Sequence, residues 1–301
     1  MLPIVHHHAY DATSVPDAHR FPMRKFAALA ELLRVAPFAA KLEWHEPQPA
    51  PLGAVRRAHD PVYLDAILNQ TLDIKAQRRI GVPVTAQVAA RSLASSGGTM
   101  LAARLALGRG VAANTAGGSH HASRDGGAGF CVFNDVAIAA LDVLATGEVL
   151  RILVVDCDVH HGDGTARIFA NDSRVFTLSI HCEANWPLDK PPSDLDLGLP
   201  KGAGDEAYLA AFRPALAQAI EQARPELVFY NAGVDPHADD RLGLLALSDD
   251  GLRARDRLVA ETCKRLDMPL AAVIGGGYGP DVQVIAGRHL ILFETLADVF
   301  G

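Results

Sequence analysis

The stretch Ile152-Leu153-Val154-Val155-Asp156-Cys157-Asp158-Val159-His160-His161-Gly162-Asp163-Gly164 joins a run of apolar, largely β-branched residues to three aspartates and two histidines. An uninterrupted apolar run closed by glycines has the character of a strand covered on both faces, as in a parallel sheet. The ionisable residues then sit at its tip. Residues two apart in extended chain share a face, so Asp158 and His160 point the same way and can hold one metal ion between them. A single Asp beside a glycine is ordinarily a turn or cap residue, but this cluster holds more ionisable side chains than a turn needs.

Working outward, similar runs at Leu2–Val5, Val111–Asn114, Val175–Ile180, Leu227–Tyr230, Leu270–Ile274 and Leu290–Phe293 read as strands. Amphipathic stretches of helical length lie between several of them: Arg24–Leu33, Ala86–Leu107, Asp135–Leu144, Ala207–Gln222 and Asp249–Leu266. The alternation predicts an α/β chain, three-layered α/β/α, with a mostly parallel sheet between helices. No repeat or Pro/Ser-rich linker divides it, and Pro47–Pro51 and Trp186–Pro192 read as surface loops, so residues 1–301 are expected to form a single domain. In open α/β sheets the working residues gather beyond the carboxyl ends of strands, and the other motifs fall at such places.

Asn231-Ala232-Gly233-Val234-Asp235-Pro236 follows one strand, and Asp235 is the candidate third ligand of a zinc site that keeps a position open for water. Two carboxylates and one imidazole would leave zinc(II) formally neutral, so a separate general base gains importance. Gly117-Gly118-Ser119-His120-His121-Ala122 offers one. A lone loop histidine is usually a hydrogen-bonded structural residue; a tandem pair after two glycines at a strand end is less ordinary, and Asp156 and Asp163 remain to orient the rings. Gly275-Gly276-Gly277-Tyr278-Gly279 permits a close backbone approach and presents a phenol able to stabilise an oxyanion, although a packing tyrosine is the commoner role there. That turn is not G-x-G-x-x-G, and the chain lacks G-x-x-x-x-G-K-[ST].

Composition bounds these readings. With 301 residues, 49% hydrophobic and 21% charged, the chain can build a large core. Its apolar runs fall far short of the roughly 20 residues that span a bilayer, and its start lacks the features of a secretory signal. A soluble, cytoplasmic protein without a membrane partner is expected. Cys131, Cys157, Cys182 and Cys263 form no C-x-x-C pair and read as buried, reduced thiols. A net charge of -7 argues against nucleic-acid binding and is compatible with a cationic, lysine-bearing substrate. His6-His7-His8 are too few for a purification tag and read as native.

Taken in order, Gly117 to Ala122, Gly127-Ala128-Gly129-Phe130-Cys131-Val132-Phe133-Asn134-Asp135, Asp156 to Gly164, Ala232 to Asp235 and Gly275 to Tyr278 closely resemble the histone deacetylase family, with its arginase/deacetylase fold. Weaker likeness at His59-Asp60-Pro61-Val62-Tyr63 and Asp239-Asp240-Arg241-Leu242-Gly243 extends the resemblance over nearly the whole chain. The short loops and Ser179-Ile180-His181-Cys182-Glu183 look most like class IV-type and bacterial members. The resemblance implies a zinc-dependent amidohydrolase removing acyl groups from acyl-lysine side chains or related acylated amines. It implies zinc on Asp158, His160 and Asp235, and an Asp/His/Asp donor set could also hold iron(II) or cobalt(II). His120 and His121 would act on water and leaving amine, and Tyr278 would hold the scissile carbonyl. A potassium or sodium ion beside the zinc would map onto Asp156, Asp158, His160, Ser179 and Ile180. Gly129 and Phe130 would form one wall of the substrate tunnel and Asn185 and Trp186 the other, with Leu242 and Gly276 also beside the substrate.

Departures qualify the substrate. Peptide-directed relatives carry an acidic rim residue before the helix containing Gly97-Gly98, where this chain has Ile80-Gly81-Val82-Pro83-Val84-Thr85. Polyamine-directed relatives carry an acidic gatekeeper where this chain places Leu242, with Asp239 and Asp240 nearby. Deacetylation of small acylated amines such as acetylpolyamines is the alternative activity. A non-catalytic acyl-ligand binder is the alternative of another kind, disfavoured by the histidine pair and Tyr278. Arginases and agmatinases share the architecture but need a D-x-D pair for two manganese ions, and the positions two before and two after Asp235 are Gly233 and His237.

Overall fold

The computed structural model describes residues 1–301. Its strands are β1 (Leu2–Val5), β2 (Leu42–His45), β3 (Val111–Asn114), β4 (Ile152–Asp156), β5 (Val175–Cys182), β6 (Leu195–Leu199), β7 (Leu227–Asn231) and β8 (Leu270–Val273). They form one sheet in the order β2-β1-β3-β8-β7-β4-β5-β6, and every pairing is parallel. Five of the six interior strands, β1, β3, β4, β7 and β8, are buried at every residue, which is why they read as unbroken apolar runs rather than as an alternation.

Ten helices cover the sheet: α1 (Lys25–Val35), α2 (Leu52–Ala58), α3 (Pro61–Leu68), α4 (Ile74–Ile80), α5 (Ala86–Arg109), α6 (Asp135–Ala145), α7 (Asp163–Phe169), α8 (Asp205–Ala223), α9 (Asp249–Arg265) and α10 (Val282–Phe300). One layer runs α1, α10, α9, α8; α5 and α6 pack together in the other, with α2 against α6. The chain is thus three-layered α/β/α. The long α5 is bounded by local chemistry: Thr85 accepts the Val88 N–H at its start, and Gly110, at φ 84°, ends it in the left-handed conformation that a side chain would resist. No helix is long and apolar enough to cross a membrane.

One strand assignment is corrected. Leu290–Phe293 lies inside α10, whose turns are buried against α1 and α9. A short apolar run has no periodicity that separates a buried strand from a helix packed on several sides. The edge strands β2 and β6 carry no unbroken apolar run, since Leu42–His45 and Leu195–Leu199 mix buried and exposed positions.

Candidate active site

β3, β8, β7 and β4 are consecutive neighbours in the sheet, so their carboxyl ends bring four distant segments to one place. The ligand atoms of Asp158, His160 and Asp235 lie within 4.8 Å of one another, all three residues buried. His160 Nδ1 is 3.0 Å from Asp158 Oδ1 and 3.2 Å from Asp235 Oδ2. The remaining carboxylate oxygens are occupied: Gly276 N–H donates to Asp158 Oδ2 at 2.8 Å and Val159 N–H to Asp235 Oδ1 at 2.9 Å. Glycines make the space. A Cβ at Gly276 would run into both carboxylates, and one at Gly233 would lie 2.8 Å from Asp158 Oδ2.

Two carboxylates pressed together in a dry site repel. Burial and the charge of Asp158 push Asp235 up to about 7. Burial opposes the imidazolium of His160, yet its bonds to both aspartates outweigh that and push it up to about 10. A positive charge is what this cluster is built around, and two carboxylates with one imidazole suit a divalent cation such as zinc or iron(II) with an open coordination position.

The adjacent histidines occupy electrically opposite settings although their ring centroids are 3.9 Å apart. His120 Nδ1 is 2.6 Å from Asp156 Oδ2, and its Nε2 is 3.6 Å from Asp158 Oδ1. Burial works against its charge, but Asp156 and Asp158 together raise it to about 9. His121 Nδ1 is 2.7 Å from Asp163 Oδ1, at the first residue of α7. Burial and the neighbouring His120 cation lower it to about 3 despite that contact, so its ring is neutral. Asp156 is itself held by the Asp158 N–H at 3.1 Å and Asn231 Nδ2 at 2.9 Å.

A cavity of about 700 Å³ opens over this floor, lined by Gly129, Phe130, Asn185, Trp186 and Leu242 together with His121, His160 and Tyr278. Trp186 packs edge-to-face on His121 at 4.7 Å, while Phe130 lies 5.7 Å from the Tyr278 ring. Gly129, at φ 52°, leaves room for both: a Cβ there would sit 2.6 Å from His121 Cδ2 and 2.8 Å from Trp186 Cζ3. Asn185 proves to be a brace, its amide donating to the Leu242 carbonyl at 2.7 Å and accepting from Leu244 N–H at 3.0 Å. Gly276 lies deeper, beside Asp158, His120 and Arg91 in a small inner space. Ser179 is in register with Asp156 across β4 and β5, its hydroxyl 3.0 Å from His181 Nδ1, and Ile180 follows it on β5.

Lys25 and Arg255 carry no mark in the sequence, and Asp240 is marked there only as a neighbour of Leu242. Asp240 accepts the N–H groups of Tyr278, Leu242 and Gly243 at 2.7, 2.8 and 2.9 Å, tying the tyrosine loop to the cavity wall. Lys25, fully buried, donates to the Gly275 carbonyl at 2.9 Å and lies 5.8 Å from the Tyr278 ring; burial lowers its ammonium to about 8. Arg255 donates to the Gly233 and Cys157 carbonyls at 2.6 and 3.2 Å, and so holds both ligand loops from behind. A Gly-rich turn and a D-x-H tip announce ligands, but a charged residue inside an amphipathic helix announces nothing.

A three-layer α/β/α domain whose central strand ends converge on a buried carboxylate and imidazole cluster defines the class structurally. The model of the histone deacetylase domain matches residues 19–290, and the chain belongs to the histone deacetylase family. It is 47% identical over 299 residues, 99% of each chain, to an uncharacterised protein of Picosynechococcus sp.. It is also 36% identical over 185 residues to histone deacetylase 2 of Arabidopsis thaliana (60% of this chain, 48% of that one). Histone deacetylase 1 of Homo sapiens is 34% identical over 179 residues (56% and 36%). The similarity thus spans half or less of these two named relatives.

Proposed function

We propose that the protein is a zinc-dependent deacylase that hydrolyses the amide of acyl-lysine side chains, residues 1–301 acting as one catalytic domain. The carrying observation is the convergence of Asp158, His160 and Asp235 on one point, with His160, His121 and Tyr278 lining the cavity above it. Bound by these three ligands, zinc, or iron(II) in its place, would supply Lewis acidity to the scissile carbonyl and lower the pKa of a water. His121, oriented by Asp163 at Nδ1, offers Nε2 to the attacking water and returns the proton to the departing amine. His120 stays protonated against Asp156 and keeps positive potential beside the developing oxyanion. The Tyr278 phenol, pushed well above its ordinary pKa by burial and the nearby carboxylates, remains a hydrogen-bond donor to that oxygen. The C–N bond breaks to give a carboxylate and a free amine. Phe130 and Trp186 flank the acyl-lysine stem. A potassium or sodium ion at Asp156, Asp158, His160, Ser179 and Ile180 is part of this reading, as is a reducing, cytoplasmic setting, which four free buried cysteines support.

Fluorogenic acyl-lysine peptides differing only in acyl group test it. Turnover is expected in the native protein, lost on chelation and restored by one equivalent of zinc, and reduced about 10²- to 10³-fold in Tyr278→Phe. Absence of turnover on every acyl-lysine, with hydrolysis of small acylated amines, would move the activity to the second substrate class; binding without turnover of either would make it a binder.

A further inference from the structure

The mouth of the cavity carries a charge opposite to that of the molecule. In a chain of net charge -7, the cavity is lined by Arg20, Arg78 and Arg79 and by no aspartate or glutamate. All three arginines are exposed, and none forms an ion pair or a side-chain hydrogen bond. Their placement is firm. Arg78 and Arg79 occupy the last turn of α4, whose end is docked on the tunnel wall: Gly129 N–H donates to the Arg79 carbonyl at 3.2 Å and Phe130 N–H to the Ile80 carbonyl at 2.6 Å. Gly81, at φ 79°, turns the chain there, and a Cβ on it would meet the Phe130 ring at 3.3 Å. Arg20 arrives from the opposite direction in sequence, next to His19, whose ring meets Phe130 edge-on at 6.0 Å. Cations at a helix carboxyl end complement its dipole, but that accounts neither for Arg20, which is in no helix, nor for a cavity lining without an aspartate or glutamate.

We infer that the substrate carries a carboxylate near its acylated amine, which the arginines at the mouth capture while the acyl-amide descends between Phe130 and Trp186. This rests on the deacylase reading and names its substrate class. Unpaired guanidiniums around a low-dielectric cleft both steer an anion to it and form bidentate bonds with a carboxylate. A lysine-rich flank would be repelled by the same charges.

The test uses ε-acyl-lysine peptides identical except for glutamate, glutamine or lysine on both sides of the acyl-lysine, together with free Nε-acyl-lysine, whose carboxylate is its own. At low ionic strength kcat/KM is expected to fall in the order glutamate, glutamine, lysine, spanning about tenfold, mostly in KM, and to flatten in high salt. The ratio should collapse in Arg78→Gln/Arg79→Gln and invert in Arg78→Glu/Arg79→Glu; ratios within one variant are independent of how much of it is folded. Free Nε-acyl-lysine above the glutamate-flanked peptide would place the carboxylate on a small molecule, the reverse on an acidic peptide. If the glutamine-flanked peptide is hydrolysed but the order is flat or survives both double substitutions, the inference fails and the deacylase reading stands. If nothing is hydrolysed, that reading fails instead, and titration of the same peptides against Trp186 fluorescence decides the mouth: preferential binding of the glutamate-flanked peptide, lost in Arg78→Gln/Arg79→Gln, sustains the inference, and equal binding overturns it.

Discussion

The floor and the mouth of the cavity are built on different principles. At the floor, Asp158 and Asp235 have their oxygens committed to His160, Gly276 N–H and Val159 N–H, and the backbone presenting them leaves four adjacent strand ends. At the mouth, Arg20, Arg78 and Arg79 reach into solvent from a loop and a seven-residue helix with no partner at all. Rigid strand ends fix atoms to the tolerance that chemistry demands. Loops on that scaffold can change what enters without disturbing what reacts. Floor substitutions should therefore depress every substrate alike, and mouth substitutions should reorder substrates.

The largest expected effect tests the first half of that contrast. Asp158→Asn keeps the shape but removes a charge and a ligand, and turnover of every acyl-lysine substrate should fall by about 10³-fold or more, with the metal content per chain dropping in parallel. A loss confined to one flanking sequence would break the distinction between floor and mouth.

The second prediction attacks the floor from behind. Arg255, fully buried, pairs with Asp256 at 2.8 Å while holding the Gly233 and Cys157 carbonyls. Arg255→Met would strand the Asp256 charge and free two carbonyls, at a cost of about 3–5 kcal/mol in urea unfolding. Arg79→Gln, equal in charge change but exposed, should shift the same transition by less than about 0.5 kcal/mol.

The smallest effect concerns the segment behind the Phe130 wall. His59 donates from Nδ1 to the Ser123 carbonyl at 2.9 Å and accepts the Asn134 N–H on Nε2 at 2.9 Å, an arrangement that needs the neutral ring. Burial lowers its pKa to about 4 from an ordinary 6.5. Because the unfolded chain binds this proton more readily, the contribution is fully present above pH 6.5 and is lost as pH falls toward 4. Between pH 7.5 and 5.5 the loss from this group is about 1 kcal/mol, seen as a smaller unfolding midpoint and removed in His59→Asn. An identical pH slope in that variant would count against it.

The aspartates and histidines of the floor were legible because each sits at the end of an apolar run, and a strand two faces deep in helices can present polar residues only at its tip. The same logic misled at Leu290–Phe293, where an apolar run belongs to a helix wedged between α1 and α9. Asn185 lines the cavity and also bridges Leu242 and Leu244, because an amide beside a loop finds the nearest unpaired backbone groups first.

By itself the sequence determined the parallel α/β architecture, the three candidate ligands, the histidine pair and the tyrosine, since strand period and motif order are local properties. Only the tertiary structure decided that Asp156 and Asp158 raise the pKa of His120 while burial and His120 lower that of His121, that Arg255 braces two ligand loops, and that Arg20 meets Arg78 and Arg79 at one opening. Protonation and surface potential are set by whichever groups come within a few ångströms, and the pairing of β4 with β7 and the docking of α4 on the Phe130 loop bring together residues that the chain keeps far apart.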